Sequence, residues 1–193
     1  VNWSQYQSIP LAFVTGTNGK STTTRLASQI LRGSGITVGF SSTDGIWAGD
    51  ECLDQGDYSG PGGAREVLRN PKVDTAILEV ARGGMLRRGL GATKADAALI
   101  TNVAEDHLGE YGVNTLAELI EAKFIVRKSL GLDGKLILNA DDAGIVSFVQ
   151  KLGISLANEI VWFSLDKNNP QFLDHFSRGG SAYFIDERKL VAQ

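Results

Sequence analysis

The chain has 193 residues, and 42% hydrophobic residues suffice for one well-packed core, so we expect a single domain over residues 1–193. A balance of 19 Lys and Arg against 22 Asp and Glu gives a formal net charge of −3, which argues against a broad nucleic-acid-binding surface. The one cysteine, Cys52, excludes an intrachain disulfide framework, and no apolar run approaches the ~20 residues that span a bilayer, so we expect a cytoplasmic protein without a membrane partner.

A phosphate-binding loop is predicted near the amino terminus. The apolar run at residues 11–14 predicts a buried strand, and Leu26, Ile30 and Leu31 then follow at helical spacing. Between them lies the segment Gly16-Thr17-Asn18-Gly19-Lys20-Ser21-Thr22. Glycines let backbone amides approach phosphate oxygens, and a helix N-terminus adds partial positive charge. Because Lys20 can reach the β- and γ-phosphates and the Ser21 hydroxyl suits Mg²⁺, we expect a Mg-nucleotide ligand.

This loop departs from the most common phosphate-loop pattern. The first glycine of that pattern would fall at position 14, which is Val14 here, so the loop is an offset variant. A chance Gly-Lys-Ser turn is the alternative interpretation. The flanking strand and helix favour nucleotide binding.

The following segments predict short elements and a glycine-rich loop. Strands or hairpins are predicted at 36–40, 46–53 and 74–80, and a helix at 64–69. Residues 56–63 are rich in glycine and predict a loop that faces a ligand. Glu79 lies at the carboxyl end of the predicted strand at 74–80.

The rest of the chain predicts alternating strands and helices. After a basic segment through Arg87 and Arg88, the predicted elements are a strand at 97–103, a helix at 115–129, a strand at 135–138, a helix ending at 152, a strand at 160–163 and a hairpin at 182–191. This alternation predicts an α/β fold of the P-loop type, with a largely parallel sheet, helices on both faces and a small C-terminal β-hairpin. Ligands of such sheets gather at the carboxyl ends of the strands.

Polar clusters follow the predicted strands at that edge. They are the phosphate loop, Glu79, Asn102 with Asp106 and His107, and the run Asn139-Ala140-Asp141-Asp142. Together with Lys123 they resemble the central ATP-binding domain of the Mur ligases, and in particular the Mur-ligase-like half of the cyanophycin synthetases. Further segments that carry the resemblance are Ser42-Thr43-Asp44-Gly45, Gly56-Asp57-Tyr58-Ser59-Gly60-Pro61 and Leu78-Glu79-Val80-Ala81-Arg82-Gly83-Gly84.

The resemblance implies an ATP-dependent ligase that forms amide bonds. A carboxylate acceptor takes the γ-phosphoryl group of ATP, and an amino-acid substrate then displaces phosphate. Addition of arginine to an aspartate side chain is the reaction resembled. The family pattern implies catalytic roles for Lys20, Glu79, His107 and Lys123, with one Mg²⁺ held by Ser21 and Glu79 and a second held with the help of His107.

The metal-binding candidates also have plainer structural interpretations. If Glu79 does not bind a metal ion, it is a solvated carboxylate at the end of a strand. A charge that directly follows the apolar residues 76–78 is costly without a partner, however. If His107 does not bind a metal ion, it is a helix cap or a core histidine whose ring nitrogens are satisfied by hydrogen bonds.

Lys123 lies in the predicted helix at 115–129, where a plain ammonium would reach solvent or pair with Glu118 or Glu121. In several Mur ligases the matching lysine is carbamylated and supplies an anionic ligand to the second Mg²⁺. Burial next to Phe124 would favour that modification by lowering the pKa of the amine.

Nucleotide and acceptor contacts are expected from two further groups. Asn139 offers a donor and an acceptor to the adenine edge and Asp142 can accept from the ribose, while the same run is an ordinary helix N-cap. The expected acceptor surface is formed by Thr43, Asp44, Asp57 and Ser59. Arg82 is expected to bind a substrate carboxylate, although arginines in loops are otherwise solvated.

The chain begins at Val1 and lacks the third domain with which Mur ligases present the amine, so we expect a piece of a longer protein whose C-terminal domain completes the ligase. The ATP-grasp half of the cyanophycin synthetases is absent as well. Two other interpretations stay open: a Mur-type ligase that adds another amino acid, such as glutamate, and a nucleotide-binding interaction module without catalysis. The acceptor, the amino acid and homo-oligomer formation also stay open.

Overall fold

One sheet of ten strands organises the computed structural model, which describes residues 9–106, 108–152 and 159–193. The strands are β1 (Leu11–Thr15), β2 (Val38–Ser42), β3 (Gly45–Ala48), β4 (Glu51–Gln55), β5 (Thr75–Glu79), β6 (Ala95–Ile100), β7 (Leu130–Asn139), β8 (Ile160–Ser164), β9 (Ser181–Asp186) and β10 (Lys189–Ala192). Their order across the sheet is β10-β9-β8-β7-β6-β1-β5-β2-β3-β4.

Parallel pairing dominates the centre of this sheet. β1 lies between β5 and β6, and each neighbouring pair from β9 across to β2 is parallel. Antiparallel pairs occur at the two edges, where β2, β3 and β4 form a meander and β9 pairs with β10. The predicted α/β fold and its C-terminal hairpin are therefore confirmed.

The helices are α1 (Lys20–Arg32), α2 (Pro61–Arg69), α3 (Arg82–Arg88), α4 (Leu116–Lys123), α5 (Ala143–Lys151) and α6 (Pro170–Ser177), and a 3-10 helix covers Phe124–Ser129. Thr115 and Glu118 form a capping box at the start of α4, as their spacing indicates: the Thr115 hydroxyl accepts from the Glu118 amide at 3.2 Å, and the Glu118 carboxylate accepts from the Thr115 amide at 3.0 Å. No helix in the described part of the chain is long and apolar enough to cross a membrane.

Several predicted boundaries were wrong. The loop predicted at 56–63 is shorter, because α2 begins at Pro61, whose fixed φ suits the first turn of a helix. The helix predicted at 115–129 is α-helical only to Lys123, and the chain continues as a 3-10 helix into β7. The basic segment after Glu79 forms α3, although glycines at its second and third positions have low helix propensity. Residues 170–177, for which the sequence predicts no element, form α6.

Both faces of the sheet are covered by helices. Alternate strand residues point to opposite faces, so neighbouring side chains enter different cores. On one face Val14, Val38, Phe40 and Ile77 pack with Ala27 of α1. The larger core lies on the other face, and its members include residues of α2, α3, α4, α5 and α6.

The helix α1 packs onto the sheet through small polar residues. Thr24 and Ser28 are buried, and the Ser28 hydroxyl donates to the Thr24 carbonyl at 2.7 Å. By contrast, Leu26 is 59% exposed and Ile30 is 73% exposed. The helix itself is confirmed, but the apolar residues whose spacing predicts it lie on its outer side.

The carboxyl ends of the parallel strands bring the predicted polar clusters to one edge. In the registers of β1, β5 and β6, Val14 lies beside both Glu79 and Leu99. The phosphate loop, Glu79 and the segment that follows β6 therefore leave the sheet next to one another. Asn139 ends β7 at the same edge.

Candidate active site

The phosphate loop is held in place by the segment that follows β6. The Thr17 amide donates to the Asn102 carbonyl at 2.9 Å, and the Asn18 amide donates to the Asn102 side chain at 3.0 Å. The Thr101 hydroxyl donates to the Asn18 carbonyl at 2.6 Å. The Thr17 hydroxyl donates to the Ala104 carbonyl at 3.2 Å and accepts from the Ala104 amide at 3.1 Å. The loop conformation is thus fixed by contacts distant in sequence.

Two glycines give the loop its backbone path. Gly16 has a φ of 148° and Gly19 a φ of 82°, values that residues with a side chain rarely adopt. Gly19 is the N-cap of α1 and provides no capping side chain. The amides in the first turn of α1, which includes Ser21 and Thr22, can therefore bind an anion.

Lys20 is the first residue of α1, and its ammonium donates to the Thr17 carbonyl at 2.9 Å. The side chain thus folds back over the loop. A cation in that position lies where the phosphate oxygens of a nucleotide would bind. The structure places Gly16, Thr17, Asn18, Gly19 and Lys20 in one loop as predicted, and their contacts with a nucleotide stay a prediction.

Glu79 ends β5 and is only 1% exposed. Its Oε2 accepts a long hydrogen bond of 3.4 Å from the Thr43 amide, and its Oε1 has no hydrogen-bond partner. Burial raises the pKa of the Glu79 carboxyl, as does the nearby Asp57 charge, while the neighbouring Ser21, Lys20 and Thr43 groups act in the opposite direction. A buried carboxylate oxygen without a partner is costly unless a cation binds to it.

The residues around Glu79 fit a magnesium ion that is shared with a nucleotide. Ser21 lies next to this carboxylate, and its hydroxyl is 3.0 Å from the Thr43 hydroxyl. In the described ranges no group of three or more His, Cys, Asp or Glu could hold a metal ion by itself. Ser21 and Glu79 would therefore share the ion with phosphate oxygens. His107, the candidate for a second Mg²⁺, lies outside the described residues.

Lys123 is the last residue of α4, and it is only 4% exposed. Desolvation, together with the charges of Lys20 and Arg82, lowers the pKa of its amine to about 8, although Asp106 acts in the opposite direction. The interpretation of Lys123 as an ammonium that reaches solvent is therefore wrong. An amine with such a pKa is partly neutral near pH 7, which carbamylation requires, but the modification itself stays a prediction.

One cavity of about 610 Å³ connects the phosphate loop to part of the expected acceptor surface. Lys20 and Lys123 line it together with Asp57, Ser59 and Arg82. Asp57 and Ser59 form a local turn, in which the Ser59 hydroxyl donates to Asp57 at 2.6 Å and the Ser59 amide donates to the same oxygen at 3.0 Å. The structure thus brings Lys20 and Lys123 to the same cavity as Asp57, Ser59 and Arg82, which are part of the predicted acceptor surface.

The other two residues expected on the acceptor surface lie elsewhere. Thr43 contacts Ser21 and Glu79, on the side of the loop where Mg²⁺ is expected. Asp44 forms an exposed ion pair of 2.5 Å with Arg25 of α1. Neither residue is part of the wall of the 610 Å³ cavity.

Asn139 and Asp142 make structural hydrogen bonds at the carboxyl end of β7. The Asn139 amide group donates to the Thr101 carbonyl at 3.0 Å, and its oxygen accepts from the Asp141 amide at 2.9 Å. Asp142 caps α5 by accepting from the Ile145 amide at 3.0 Å. The N-cap interpretation is confirmed for Asp142, while nucleotide contacts of Asn139 and Asp142 stay a prediction.

A second cavity, of about 980 Å³, opens beside Asn139 on the α1 side of the sheet. Its walls include Asn18 and Gly19 of the phosphate loop, and apolar side chains such as Leu99 and Phe163. A flat apolar wall next to the phosphate loop is suited to a nucleotide base.

Sequence reasoning did not assign a role to Thr101 or Tyr111. Thr101 fixes the phosphate loop through Asn18, and Tyr111 forms part of the wall of the 610 Å³ cavity. The sequence signal for Tyr111 is its position between Gly109 and Gly112, because closely spaced glycines predict a loop. Such a loop is typical of a binding segment.

The chain is similar to known ligases. Residues 14–190 match the Mur ligase middle domain. A cyanophycin synthetase from Geminocystis herdmanii is 44% identical over 174 residues, which cover 90% of this chain and 20% of that protein. A UDP-N-acetylmuramoylalanine–D-glutamate ligase from Leuconostoc citreum is 34% identical over 82% of this chain and 30% of that protein. This chain spans about a fifth of the length of the cyanophycin synthetases that it matches.

Solved structures of such ligases share the fold. A UDP-N-acetylmuramoyl-L-alanyl-D-glutamate–2,6-diaminopimelate ligase superposes with a TM-score of 0.71 at 21% identity, over 96% of this chain and 36% of that chain. A bifunctional folylpolyglutamate synthase/dihydrofolate synthase with Mn, AMPPNP and L-glutamate bound gives 0.59 at 20% identity, over 95% of this chain and 46% of that chain. Because the sequence match extends from residue 14 to residue 190, the chain belongs to the Mur ligase middle domain family.

Proposed function

We propose that this chain is the ATP-binding domain of a ligase that forms amide bonds through an acyl phosphate. The observation that carries the proposal is the cavity of about 610 Å³, in which Lys20 of the phosphate loop and Arg82 of α3 line one space. A protein that only binds a nucleotide in order to regulate a partner needs only the phosphate loop. Transfer of a phosphoryl group requires the triphosphate and an acceptor to be held in one place. The relatives named as ligases support this choice.

The proposed reaction has two steps. An acceptor carboxylate oxygen attacks the γ-phosphorus of ATP, the bond from that phosphorus to the β–γ bridging oxygen breaks, and ADP leaves. The amine of the amino acid then attacks the acyl carbon, phosphate leaves with the electron pair of the C–O bond, and the nitrogen loses a proton. The resemblance implies that the acceptor is an aspartate side chain and the amino acid arginine.

The residues of the site have distinct roles in the proposed reaction. The loop amides and Lys20 hold the phosphates in line with the acceptor, since catalysis of phosphoryl transfer is largely positioning and charge neutralisation. Ser21 and Glu79 would hold Mg²⁺, which neutralises charge on the transferring group when bound. His107 would help to hold a second Mg²⁺, to which a carbamylated Lys123 would supply an anionic oxygen ligand. A further domain of a longer protein would present the amine.

The test is a complete ligation assay with the protein expressed from its full coding sequence. Phosphate release should require ATP, Mg²⁺, arginine and a peptide with a free aspartate side chain, and arginine should be incorporated in equal amount. Glutamate in place of arginine tests the alternative ligase. Phosphate release that depends on neither acceptor nor amino acid would contradict the proposal and favour an interaction module.

A further inference from the structure

The Asp142 carboxylate joins two parts of the fold that are distant in sequence. Its Oδ1 accepts from the Ile145 amide at 3.0 Å and caps α5, and its Oδ2 accepts from the Val103 amide, 39 residues away, at 2.7 Å. The second distance is typical of a hydrogen bond to an ionised group. Asparagine is as good an N-cap as aspartate, but it has a single oxygen for these two amides. Capping alone therefore does not account for the carboxylate.

One peptide unit connects this carboxylate to the phosphate loop. The Val103 amide and the Asn102 carbonyl belong to the same planar peptide group. The amide donates to Asp142, and the carbonyl accepts from the Thr17 amide at 2.9 Å. A negative charge at the N–H end of a peptide polarises it and strengthens its carbonyl as an acceptor. Asp142 thus fixes and strengthens a hydrogen bond that holds the loop.

The side chain of Asn102 holds the loop a second time. Its Oδ1 accepts from the Asn18 amide at 3.0 Å, and its Nδ2 donates to the Asn18 carbonyl at 3.1 Å. These two bonds require the backbone of residue 102 to stay in place. The pairing of β6 with β7 reaches only to Ile100 and Leu138, so the strand ladder does not fix residue 102. The bond from Val103 to Asp142 supplies that restraint.

The location of Asp142 favours this role over a contact with the ribose. The cavity of about 980 Å³, on the α1 side of the sheet, has Asn139 and Asp141 in its wall, but Asp142 is not among the described residues that line it. Asp142 caps α5, which packs through Ile145 into the larger core on the opposite face of the sheet. Its two oxygens therefore serve backbone amides away from the cavity beside the phosphate loop.

We propose that Asp142 is a positioning residue for nucleotide binding: it orients the phosphate loop through the peptide unit of Asn102 and Val103, and it does not contact the nucleotide. This inference deepens the proposed ATP-binding function and rests on it for the identity of the ligand. Its physical basis is preorganisation. A loop that adopts the binding conformation for only a tenth of the time binds its ligand about 10-fold more weakly.

The first test measures affinities with the protein expressed from its full coding sequence. Asp142→Asn keeps an oxygen for the cap of α5 and loses one of the two backbone bonds. Calorimetry should show that the magnesium complexes of ATP, 2′-deoxy-ATP and 3′-deoxy-ATP all bind about 10-fold more weakly. A ribose contact would make the loss smaller for the analogue that lacks the contacted hydroxyl. That result, or an unchanged affinity for ATP, would overturn the proposal.

Asp74→Asn is the matched control. Asp74 also accepts from a backbone amide distant in sequence, that of Thr37 at 2.8 Å, but it directly precedes β5, at the amino end of the strands. This variant removes the same charge and the same kind of bond, and it should bind all three nucleotides as the wild type does. Equal losses in both variants would indicate general destabilisation and would overturn the role of Asp142.

Hydrogen exchange of the ligand-free protein tests the positioning without a nucleotide. The amides of Thr17 and Asn18, both bonded to Asn102, should exchange about 10-fold faster in Asp142→Asn. Asp142→Ser, which also has one capping oxygen, should give the same result and replaces Asp142→Asn if that variant does not fold. Faster exchange in α5 alone would show a cap and nothing more. Faster loop exchange in a protein that does not bind ATP would contradict only the proposed function, and ATP binding with unchanged loop exchange would contradict only the role of Asp142.

Discussion

Gly16 lies so close to Thr101 that a Cβ at position 16 would be 1.9 Å from the Thr101 hydroxyl oxygen. The φ of 148° at Gly16 is also unfavourable for any residue with a side chain. We predict that Gly16→Ala lowers the free energy of unfolding by about 3 kcal/mol and abolishes ATP binding, because the loop must move away from Thr101. Thermal denaturation and calorimetry measure the two effects.

Gly62→Ala is the control for this substitution. Gly62 lies in the first turn of α2, and a Cβ there would meet nothing within 4 Å. It should leave ATP binding unchanged. If Gly16→Ala binds ATP as the wild type does, the loop reaches the nucleotide in another conformation.

The ammonium of Lys20 is predicted to bind the triphosphate. Lys20→Ala should weaken ATP binding by about 10- to 100-fold, since charge-assisted hydrogen bonds to phosphate are worth about 1.5–3 kcal/mol. Calorimetric titration with Mg-ATP gives the affinity. Lys72→Ala removes an exposed lysine that pairs with Glu51 and should have no effect. Equal affinities of the two variants would remove Lys20 from the phosphate site.

Lys123 is predicted to make stability rise with pH. Its folded pKa of about 8 lies below the model-peptide value of 10.5, so the folded chain loses this proton before the unfolded chain does. The cost of burying the ammonium is thus fully present below pH 8 and is relieved between pH 8 and 10.5. Lys123→Met should raise the free energy of unfolding at pH 7 by up to about 3 kcal/mol, with a smaller gain at pH 10.

Denaturant unfolding of wild type and Lys123→Met at pH 7 and pH 10 measures this difference. Lys128→Met, a change on the exposed side of the 3-10 helix, is the control. A variant that is less stable than the wild type at pH 7 would show that the ammonium is well satisfied by groups such as Asp106.

Glu79 is predicted to make the stability of the fold decrease as the pH rises, which is the opposite of the effect of Lys123. Burial raises its pKa, so the unfolded chain loses this proton first, and stability falls as the pH rises above 4.5 towards the folded pKa. Without divalent metal, Glu79→Gln should therefore have a higher Tm at pH 7 than the wild type. With Mg-ATP the order should reverse, because only the wild type gains stability from the metal. Glu121→Gln, an exposed change on α4, should alter neither comparison.

The sequence is sufficient to predict the parts of this molecule that depend on local pattern. The phosphate loop, the alternating elements and the edge where Glu79 lies follow from apolar periodicity and from the rule that ligands gather at strand ends. The helix α3 could not be predicted in this way, since Gly83 and Gly84 disfavour a helix. There Met85, which is 3% exposed, packs into the core and compensates for the low propensity.

Contacts distant in sequence account for the rest. Nothing near Asn18 in the sequence indicates that Thr101 holds its carbonyl, because the two meet only through the pairing of β1 with β6. The burial of Lys123 is likewise decided by the elements around α4 rather than by its own neighbours. Functional residue types can be found from sequence, while their partners and protonation depend on the assembled fold.

The segment after β6 is a shared support for both halves of the site. Its residues 101–104 hold the phosphate loop, and the carbonyl of Asp106, two residues later, accepts from Arg82 of α3. The spacing between the nucleotide and the acceptor is therefore set by backbone, and a length change in this segment would alter both. Under the proposed function, we expect substitutions in α3 or at residues 108–113 to affect the acceptor side of the site. Under the proposed function, we expect that a change of acceptor requires changes in α3 and residues 108–113, while residues 101–104 keep the phosphate loop in place.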